Sequence, residues 1–275
     1  MADTEYGLVR AGLIPVRAEP NVRAEQVSQE ALGSVLEILE RERDWVRAKG
    51  EDGYEGWVGL GGLLTCDRDR ARAWRAGPDG AEAAVALDAK VEDEQGRAML
   101  RLPWGARVAL DGERALLPDG RSGRLVDGRW VLAAELPQKF PPRGAAVVET
   151  AWGWMGVPYL WGGRTRWGAD CSGLAQAIYR LHGVALPRDS HQQANCGELV
   201  ESGPKFRELR PGDLIFFRAT GSQQIVHVAL SLGGSDILHA AEMNGSVAVD
   251  SLAGDSELER ALARRAMGVR RFFRD

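Results

Sequence analysis

One cysteine and two histidines in the second half of the chain have the residue types of a thiol hydrolase. Cys171 is followed by His227 and His239, which lie in two apolar stretches downstream. A free thiol has a pKa of about 8.5, so only about 3% is thiolate at pH 7 and a neighbouring base is needed to activate it. We expect His227 to take the thiol proton, and His239 to hold the His227 ring in the right tautomer, as the third member of a triad does.

The segment around Cys171 predicts a helix that begins at the cysteine. Residues 171–181 carry apolar side chains at helical spacing, and Gly183 is a stop signal. Asp170 is a good N-cap residue because its carboxylate can accept a hydrogen bond from the first turn. The N–H groups of that turn point outward, so the position favours a thiolate, and the N–H of Cys171 is the predicted oxyanion donor.

The two histidines are predicted to lie on adjacent antiparallel strands. Residues 225–232 and 237–241 are apolar stretches of strand length, and Gly233-Gly234 between them is a hairpin signal. A regular two-residue turn at these glycines would send the two histidines to opposite faces of the sheet. We therefore expect a three- or five-residue loop, or a β-bulge.

Six short motifs occur in order between residues 144 and 275. They are Gly156-Val-Pro-Tyr159-Leu-Trp-Gly-Gly163, Asp170-Cys-Ser-Gly173, Leu186-Pro-Arg-Asp-Ser190, Arg210-Pro-Gly-Asp213-Leu-Ile-Phe-Phe217, His227-Val-Ala-Leu230 and Leu238-His-Ala240. In these motifs the chain resembles the NlpC-type cell-wall peptidases, a bacterial branch of the papain-like thiol hydrolases. The resemblance implies that Cys171, His227 and His239 are catalytic, and that Tyr159 is a second polar group close to the thiol. It implies no metal and no organic cofactor.

The first half of the chain is not predicted to be catalytic on its own. Residues 1–137 contain no histidine, and their short apolar stretches separated by turns are typical of small β-barrels. Two runs, 1–65 and 66–137, resemble bacterial SH3-like barrels, the second preceded by a linker. The Pro141-Pro142 pair marks the boundary to a catalytic domain at 138–275. The predicted fold class is α+β: a papain-like domain behind two small SH3-like barrels.

The bulk composition excludes several functional classes. A net charge of −4 argues against a nucleic-acid or anionic-membrane surface. No apolar run approaches the ~20 residues of a transmembrane helix, and the N-terminus lacks the pattern of a signal peptide. We therefore expect a cytoplasmic protein, unless a signal sequence has been removed. The oligomeric state is left open.

The other two cysteines are expected to be inert. Three cysteines are too few for a disulfide framework, and free cysteines are usually packed as small apolar side chains, as we expect for Cys66 and Cys196. No CxxC or HxxxH spacing occurs, so a zinc site is not predicted.

The barrel–barrel–peptidase arrangement is similar to γ-D-glutamyl-L-diamino-acid endopeptidases, which cut murein peptides. The resemblance implies amide hydrolysis through a thioester on Cys171. Two alternatives remain open: another Cys/His amidase or acyltransferase, and an inactive cell-wall binding protein in which the barrels do the work. Which diamino acid is cut is not predicted.

The resemblance also implies a requirement for a free N-terminal L-Ala on the substrate. Asp170 and a tyrosine of the first barrel, here Tyr54, would hold the substrate amine, while Ser172 and Ser190 match polar positions lining the same cleft. The family often has a Glu where Gly33-Ser34 stands here, so Glu30 or water would share the amine contact. Such an enzyme would recycle small murein peptides.

Overall fold

The computed structural model describes residues 4–201 and 208–274. The chain divides into two units, residues 1–136 and 137–275. The first unit is built from two antiparallel sheets and the second from a mixture of helices and an antiparallel sheet. Among the helices of the described residues, none is long and apolar enough to span a membrane.

The first sheet of the first unit has seven strands that curl around one apolar core. In spatial order they are Gln26–Ala31, Leu13–Arg17, Glu55–Gly59, Trp45–Lys49, Val35–Glu42, Tyr6–Val9 and Leu63–Cys66. Alternate residues point inward, so Leu13–Arg17 buries Ile14 and Val16 against Val46 and Val58. This alternation is what the turn-separated apolar stretches of 1–65 predict.

The second sheet also has seven strands and its own core. In spatial order they are Ala98–Leu102, Ala89–Glu92, Ser122–Val126, Arg114–Leu116, Arg107–Asp111, Glu82–Leu87 and Arg129–Leu132. Its fully buried side chains include Ala86, Val91, Leu102 and Ala115. Its assignment as a second SH3-like barrel stays a prediction.

The charged segment ahead of the second sheet contains a helix, Arg68–Ala76, and not the linker that its sequence suggests. The early strands of the second sheet, Glu82–Leu87 and Ala89–Glu92, follow it. Asp67 is the N-cap of this helix, with its carboxylate accepting from the N–H of Arg70 at 2.8 Å. Only Ala71 and Trp74 are buried, three residues apart on one face, and they pack with residues of both sheets. The indole N–H of Trp74 donates to the carbonyl oxygen of Gly33 at 2.9 Å. This short apolar face is why the sequence pattern does not reveal the helix.

The second unit is centred on a six-stranded antiparallel sheet. In spatial order its strands are Glu198–Val200, Ala266–Arg271, Leu214–Arg218, Ile225–Gly233, Asp236–Ala241 and Ser246–Ser251. The helices longer than one turn that accompany it are Gly144–Trp152, Cys171–Leu181 and Glu257–Arg265. The other elements of the chain are the helical turns Leu60–Gly62, Pro78–Gly80, Ala133–Glu135, Leu136–Lys139, Ser190–Gln193 and Glu242–Asn244, and the strand pair Arg164–Thr165 and Gly168–Ala169.

Helices cover this sheet. Helix Glu257–Arg265 contributes Leu262 to an apolar cluster with Ile215, Phe217 and Val269. Helix Cys171–Leu181, called the nucleophile helix below, packs against strands Ile225–Gly233 and Asp236–Ala241. The predicted mixture of helices and antiparallel strands is confirmed for this unit, and the packing brings the start of the nucleophile helix to the strands that carry the histidines.

A buried ion pair fixes the start of one central strand. Asp213 is 1% exposed, and its two carboxylate oxygens accept from Nε and Nη2 of Arg271 at 2.8 and 2.6 Å. The same carboxylate accepts from the backbone N–H of Arg210 at 2.9 Å. The Arg-Pro-Gly-Asp motif therefore makes a turn that is tied to the strand Ala266–Arg271.

The hairpin between the two histidine strands contains a bulge, as predicted. Gly233 pairs with Asp236 around a two-residue loop, whereas Ser231 pairs with Ile237, so the register shifts by one residue between them. Without this shift the histidines would lie on opposite faces of the sheet. The bulge therefore places His227 and His239 on one face.

Candidate active site

The nucleophile helix begins at Cys171, and Asp170 is its N-cap. One carboxylate oxygen of Asp170 accepts from the backbone N–H of Gly173 at 2.8 Å. Gly173 is required by close packing, because a Cβ there would lie 2.1 Å from the carbonyl oxygen of Gly163. The Asp-Cys-Ser-Gly motif thus combines a helix cap, the predicted nucleophile and a close approach to the preceding loop. The observed N-cap of this helix, its start at Cys171 and its end at Leu181 agree with the prediction.

The thiol of Cys171 is half-buried next to the His227 strand. Backbone N–H groups of Val228 and Ser172 donate to its sulfur. Val228 directly follows His227, so the strand that carries the predicted base reaches the nucleophile. The thiol therefore lies between the helix start and the base-bearing strand.

Burial determines the protonation of this pair. Burial raises the pKa of the Cys171 thiol to about 12, and the charge of Asp170 acts in the same direction, against the two N–H donors and Arg188. Burial also lowers the pKa of His227 well below its usual value. Both groups are therefore neutral at pH 7 without substrate. This differs from the expected thiolate, because desolvation outweighs the stabilisation at the helix start.

The two histidines are hydrogen-bonded to each other. Nε2 of His227 lies 2.7 Å from Nδ1 of His239, with ring centroids 5.0 Å apart. The ring of Phe217 packs against His227 on the neighbouring strand, with centroids 5.5 Å apart. His239 is buried, and its Nε2 lies 2.7 Å from Oδ2 of Asp250, which also accepts from Nδ2 of Asn244 at 2.8 Å. A continuous polar chain thus runs from His227 into the protein.

A second buried network surrounds Asp170. Arg188 donates from Nη1 to Oδ1 (3.1 Å) and from Nη2 to Oδ2 (2.5 Å), and both side chains are nearly inaccessible. Oδ2 also accepts from the backbone N–H of Gly162 at 2.9 Å, and Oδ1 from the hydroxyl of Ser172 at 3.2 Å. Together with the cap, Asp170 receives five hydrogen bonds from the described residues, more than the roughly four lone-pair sites of a carboxylate. A substrate amine would have to share these lone pairs.

The predicted cleft residues of the second unit lie around this network. Ser172 accepts from Nη1 of Arg188 at 2.8 Å and is buried. Ser190 is buried at the start of the turn Ser190–Gln193. Tyr159 is half-buried, and burial, followed by the charges of Cys171 and Asp170, raises its pKa well above the usual value. The electrostatic coupling to Cys171 agrees with a phenol near the thiol, although the roles of these residues stay predictions.

The predicted amine contact of the first unit lies in the first seven-stranded sheet. Tyr54 is half-buried in the turn between Trp45–Lys49 and Glu55–Gly59. It lines a small cavity together with Glu30, a buried residue of strand Gln26–Ala31. The structure thus brings together the two residues that we suggested for sharing one ligand group.

The remaining cysteines are free thiols outside this constellation. Cys66 ends a strand of the first sheet, and burial raises its pKa. Sγ of Cys196 lies 3.6 Å from the carbonyl oxygen of Gln192. Within the described ranges, no three His, Cys, Asp or Glu side chains are grouped as metal ligands would be.

Sequence reasoning missed three polar residues of the site. Arg188 occurs in a quoted motif, and a buried cap such as Asp170 signals the need for a cation. Asp250 and Asn244 lie in a segment with no motif. Their one signal is that a triad histidine requires an acceptor for its second ring nitrogen.

Two families match parts of this chain. Residues 156–266 match the NlpC/P60 family, and residues 11–65 match the bacterial SH3 domain. The first range contains Cys171, both histidines and Asp250. The second covers most of the first seven-stranded sheet.

Relatives of known name align with different shares of the chain. A Bacillus cereus protein named gamma-D-glutamyl-L-lysine dipeptidyl-peptidase is 28% identical over 245 residues, 81% of this chain and 69% of that protein. Dipeptidyl-peptidase 6 of Lysinibacillus sphaericus is 27% identical, covering 89% of this chain and 91% of its own length. A Bacillus subtilis protein with the same name as the first is 36% identical, but the alignment spans only 38% of this chain and 35% of that protein.

Solved structures support the fold over nearly the whole chain. The crystal structure of an NlpC/P60 family protein from Bacillus cereus superposes with a TM-score of 0.78 at 22% identity, covering 97% of this chain and 99% of that one. An NlpC/P60 endopeptidase from Photobacterium damselae gives a TM-score of 0.63 at 16% identity, with 96% and 70% coverage. The chain therefore carries an NlpC/P60 cysteine peptidase domain with a bacterial SH3 domain ahead of it.

Proposed function

We propose that this protein hydrolyses the γ-D-glutamyl–L-diamino-acid bond of murein peptides that carry a free N-terminal L-Ala. The observation that carries the proposal is the hydrogen bond between His227 and His239, because the N–H of Val228, the residue after His227, reaches the Cys171 sulfur. The substrate class is supported by the name of the Bacillus cereus relative, gamma-D-glutamyl-L-lysine dipeptidyl-peptidase, which aligns with most of this chain.

The reaction starts from the neutral thiol–imidazole pair. His227 takes the Cys171 proton as the sulfur attacks the γ-carbonyl carbon of D-Glu, and the backbone N–H of Cys171 stabilises the oxyanion. The imidazolium then protonates the leaving amine, so the C–N bond breaks and a thioester remains. Water attacks the thioester while His227 takes its proton, and the C–S bond breaks to return the thiol.

The free amine of L-Ala is proposed to bind to a carboxylate. A buried ammonium group needs a negative partner, because its desolvation is otherwise not offset. Asp170 is the first candidate, but Arg188 already compensates its charge. Glu30, which shares a cavity with Tyr54, is therefore the second. Ser172 and Ser190 would line the cleft beside Asp170.

This substrate preference corresponds to a recycling role. Small peptides released from the wall have a free L-Ala amine, whereas peptides attached to the glycan through that amine do not. We therefore propose a cytoplasmic enzyme that trims small murein peptides. The SH3-type units would narrow the substrate range and would not anchor the protein to intact wall.

The test uses L-Ala-γ-D-Glu-L-diamino-acid tripeptides with a free or an acetylated amine, analysed by mass spectrometry. We expect the free peptide to yield L-Ala-D-Glu and the diamino acid, and the acetylated twin to stay intact. Cys171→Ala should lose several orders of magnitude in rate, while Cys66→Ser and Cys196→Ser keep most of it.

Four other results would each reject part of the proposal. Equal cleavage of the acetylated peptide would remove the amine requirement. A transferred acyl group in place of the hydrolysis product would indicate an acyltransferase, and cleavage of another amide bond a different amidase. A comparable loss in Cys196→Ser would mean that Cys171 is the wrong thiol.

A further inference from the structure

The hydrogen-bonded chain behind the predicted triad continues to a carboxylate. Asp250 lies on strand Ser246–Ser251, which pairs with the His239 strand so that Ile237 faces Asp250 and His239 faces Ala248. The side chain of Asp250 reaches diagonally to Nε2 of His239 at 2.7 Å and is half-buried. Nδ2 of Asn244 donates to the same oxygen at 2.8 Å, which holds the carboxylate in place.

This carboxylate determines where the protons of both histidines lie. An ionised carboxylate only accepts hydrogen bonds, and the bond from His239 lowers the pKa of Asp250 below its usual value. Nε2 of His239 therefore carries a proton. A neutral imidazole with a protonated Nε2 has an accepting Nδ1, so the 2.7 Å contact takes its proton from Nε2 of His227. The remaining nitrogen of His227, Nδ1, keeps its lone pair and is the only one that can accept the thiol proton.

We propose that Asp250, held by Asn244, is a positioning residue that fixes the tautomers of both histidines and thereby makes Nδ1 of His227 the base for Cys171. The inference rests on the proposed function for its kinetic test. The third member of the triad alone does not suffice, because His239 without an acceptor could present either nitrogen to His227. Only the acceptor at the far end gives the chain a direction.

The direction can be reversed by a substitution of nearly equal shape. In Asp250→Asn the amide can donate to Nε2 of His239, so the proton of His239 moves to Nδ1 of its own ring. That Nδ1 then donates to Nε2 of His227, and the proton of His227 moves to Nδ1 of the His227 ring. His227 then cannot accept the thiol proton. In Asp250→Ala the hydrogen-bonded histidines no longer have a fixed pair of tautomers, but they are not held in the unproductive pair. We therefore expect Asp250→Asn to lose about 10²- to 10⁴-fold in kcat, more than Asp250→Ala, with KM nearly unchanged in both.

The tautomers are measured directly by NMR of ¹⁵N-histidine-labelled protein, which is practical because the chain has only four histidines. The wild type should show protonated Nε2 and unprotonated Nδ1 for His227 and His239, and Asp250→Asn the reverse. Asp236→Asn, an exposed carboxylate on the His239 strand, is the matched control and should change neither kcat nor the spectra. Asn244→Ala should lower kcat less than either Asp250 variant.

The outcomes separate this inference from the proposed function. Unchanged histidine tautomers in a folded Asp250→Asn protein, or a kcat equal to that of the wild type, would overturn the role of Asp250. If Asp250→Asn does not fold, wild-type spectra showing protonated Nδ1 on His227 would overturn it equally. If the wild type cleaves no γ-D-glutamyl peptide but the tautomers reverse as stated, the proposed substrate is wrong and the role of Asp250 stands.

Discussion

At the residue scale, the proposed catalysis depends on two groups, Cys171 and His227, that burial keeps neutral. Burial is the largest cause that lowers the pKa of His227, followed by the charges of His239 and Arg265. The same desolvation raises the pKa of the Cys171 thiol. A neutral pair costs little free energy to bury. In the proposed reaction, the Cys171 sulfur can attack a bound substrate only as His227 takes the thiol proton. The proton transfer in that reaction is thus coupled to attack on the substrate.

The lowered pKa of His227 predicts the acid limb of the pH profile. A base with a lowered pKa stays unprotonated to lower pH, so the limb of kcat/KM should lie below about 6.5. Removing a positive charge raises that pKa, so Arg265→Gln should move the limb to higher pH. Its neighbour Arg264→Gln, which has no such effect on His227, is the control. An unmoved limb in Arg265→Gln would show that Arg265 does not act on the base.

At the element scale, the nucleophile helix is held at its start by a buried ion pair. Asp170 caps the helix, binds the Gly162 loop and forms a bidentate pair with Arg188, whose side chain is 2% exposed. Gln193 adds a bond from Nε2 to the carbonyl oxygen of Ser172 at 3.0 Å. The buried Asp170–Arg188 pair thus connects the start of the nucleophile helix to the neighbouring loop and turn. These contacts fix the position of Cys171.

Breaking this pair from one side should destabilise the protein strongly. Arg188→Leu leaves a buried carboxylate without its cation and should cost about 3–5 kcal/mol in the free energy of unfolding. Asp170→Asn leaves the guanidinium unpaired and should cost a similar amount. The double variant should be more stable than the sum of both losses predicts, as measured by urea denaturation. Additive losses would mean that the two side chains do not stabilise each other.

At the scale of the whole molecule, buried neutral histidines link stability to pH. His182 is 1% exposed at the end of the nucleophile helix; its Nδ1 lies 2.8 Å from the carbonyl oxygen of Pro141 and its Nε2 lies 2.9 Å from the hydroxyl of Thr150. Burial lowers its pKa in the folded protein, as it does for His227. The unfolded chain therefore binds more protons than the folded protein in mildly acidic solution.

The melting temperature should consequently fall with pH. For a histidine with a lowered folded pKa, stability is fully present above the unfolded value of about 6.5 and is lost as pH falls below it. We expect Tm to decrease between pH 7.5 and 5, and His182→Gln to show a smaller decrease because one of the linked protons is removed. His191→Gln, at an exposed site, is the control. An equal slope in wild type and His182→Gln would contradict this role of His182.

The sequence by itself determined the features that depend on neighbours along the chain. The start of the nucleophile helix, its Asp170 cap and the two histidine strands follow from capping, periodicity and turn chemistry, which act within a few residues. The need for a bulge in the hairpin followed from strand parity, because two histidines that touch must share a face. The charged helix Arg68–Ala76 escaped this reasoning, since its apolar face consists of two residues that only the adjoining sheets bury.

Only the tertiary structure decided which polar groups meet. Arg188 forms an ion pair with Asp170, which lies 18 residues earlier in the chain. Asp250 accepts a hydrogen bond from His239, which lies diagonally opposite on the neighbouring strand. No local pattern marks such partners, because the register of a sheet and the packing of a loop against a helix start set which side chains meet. The pKa values of Cys171 and His227 depend on the same packing, since desolvation is a property of everything that surrounds a group.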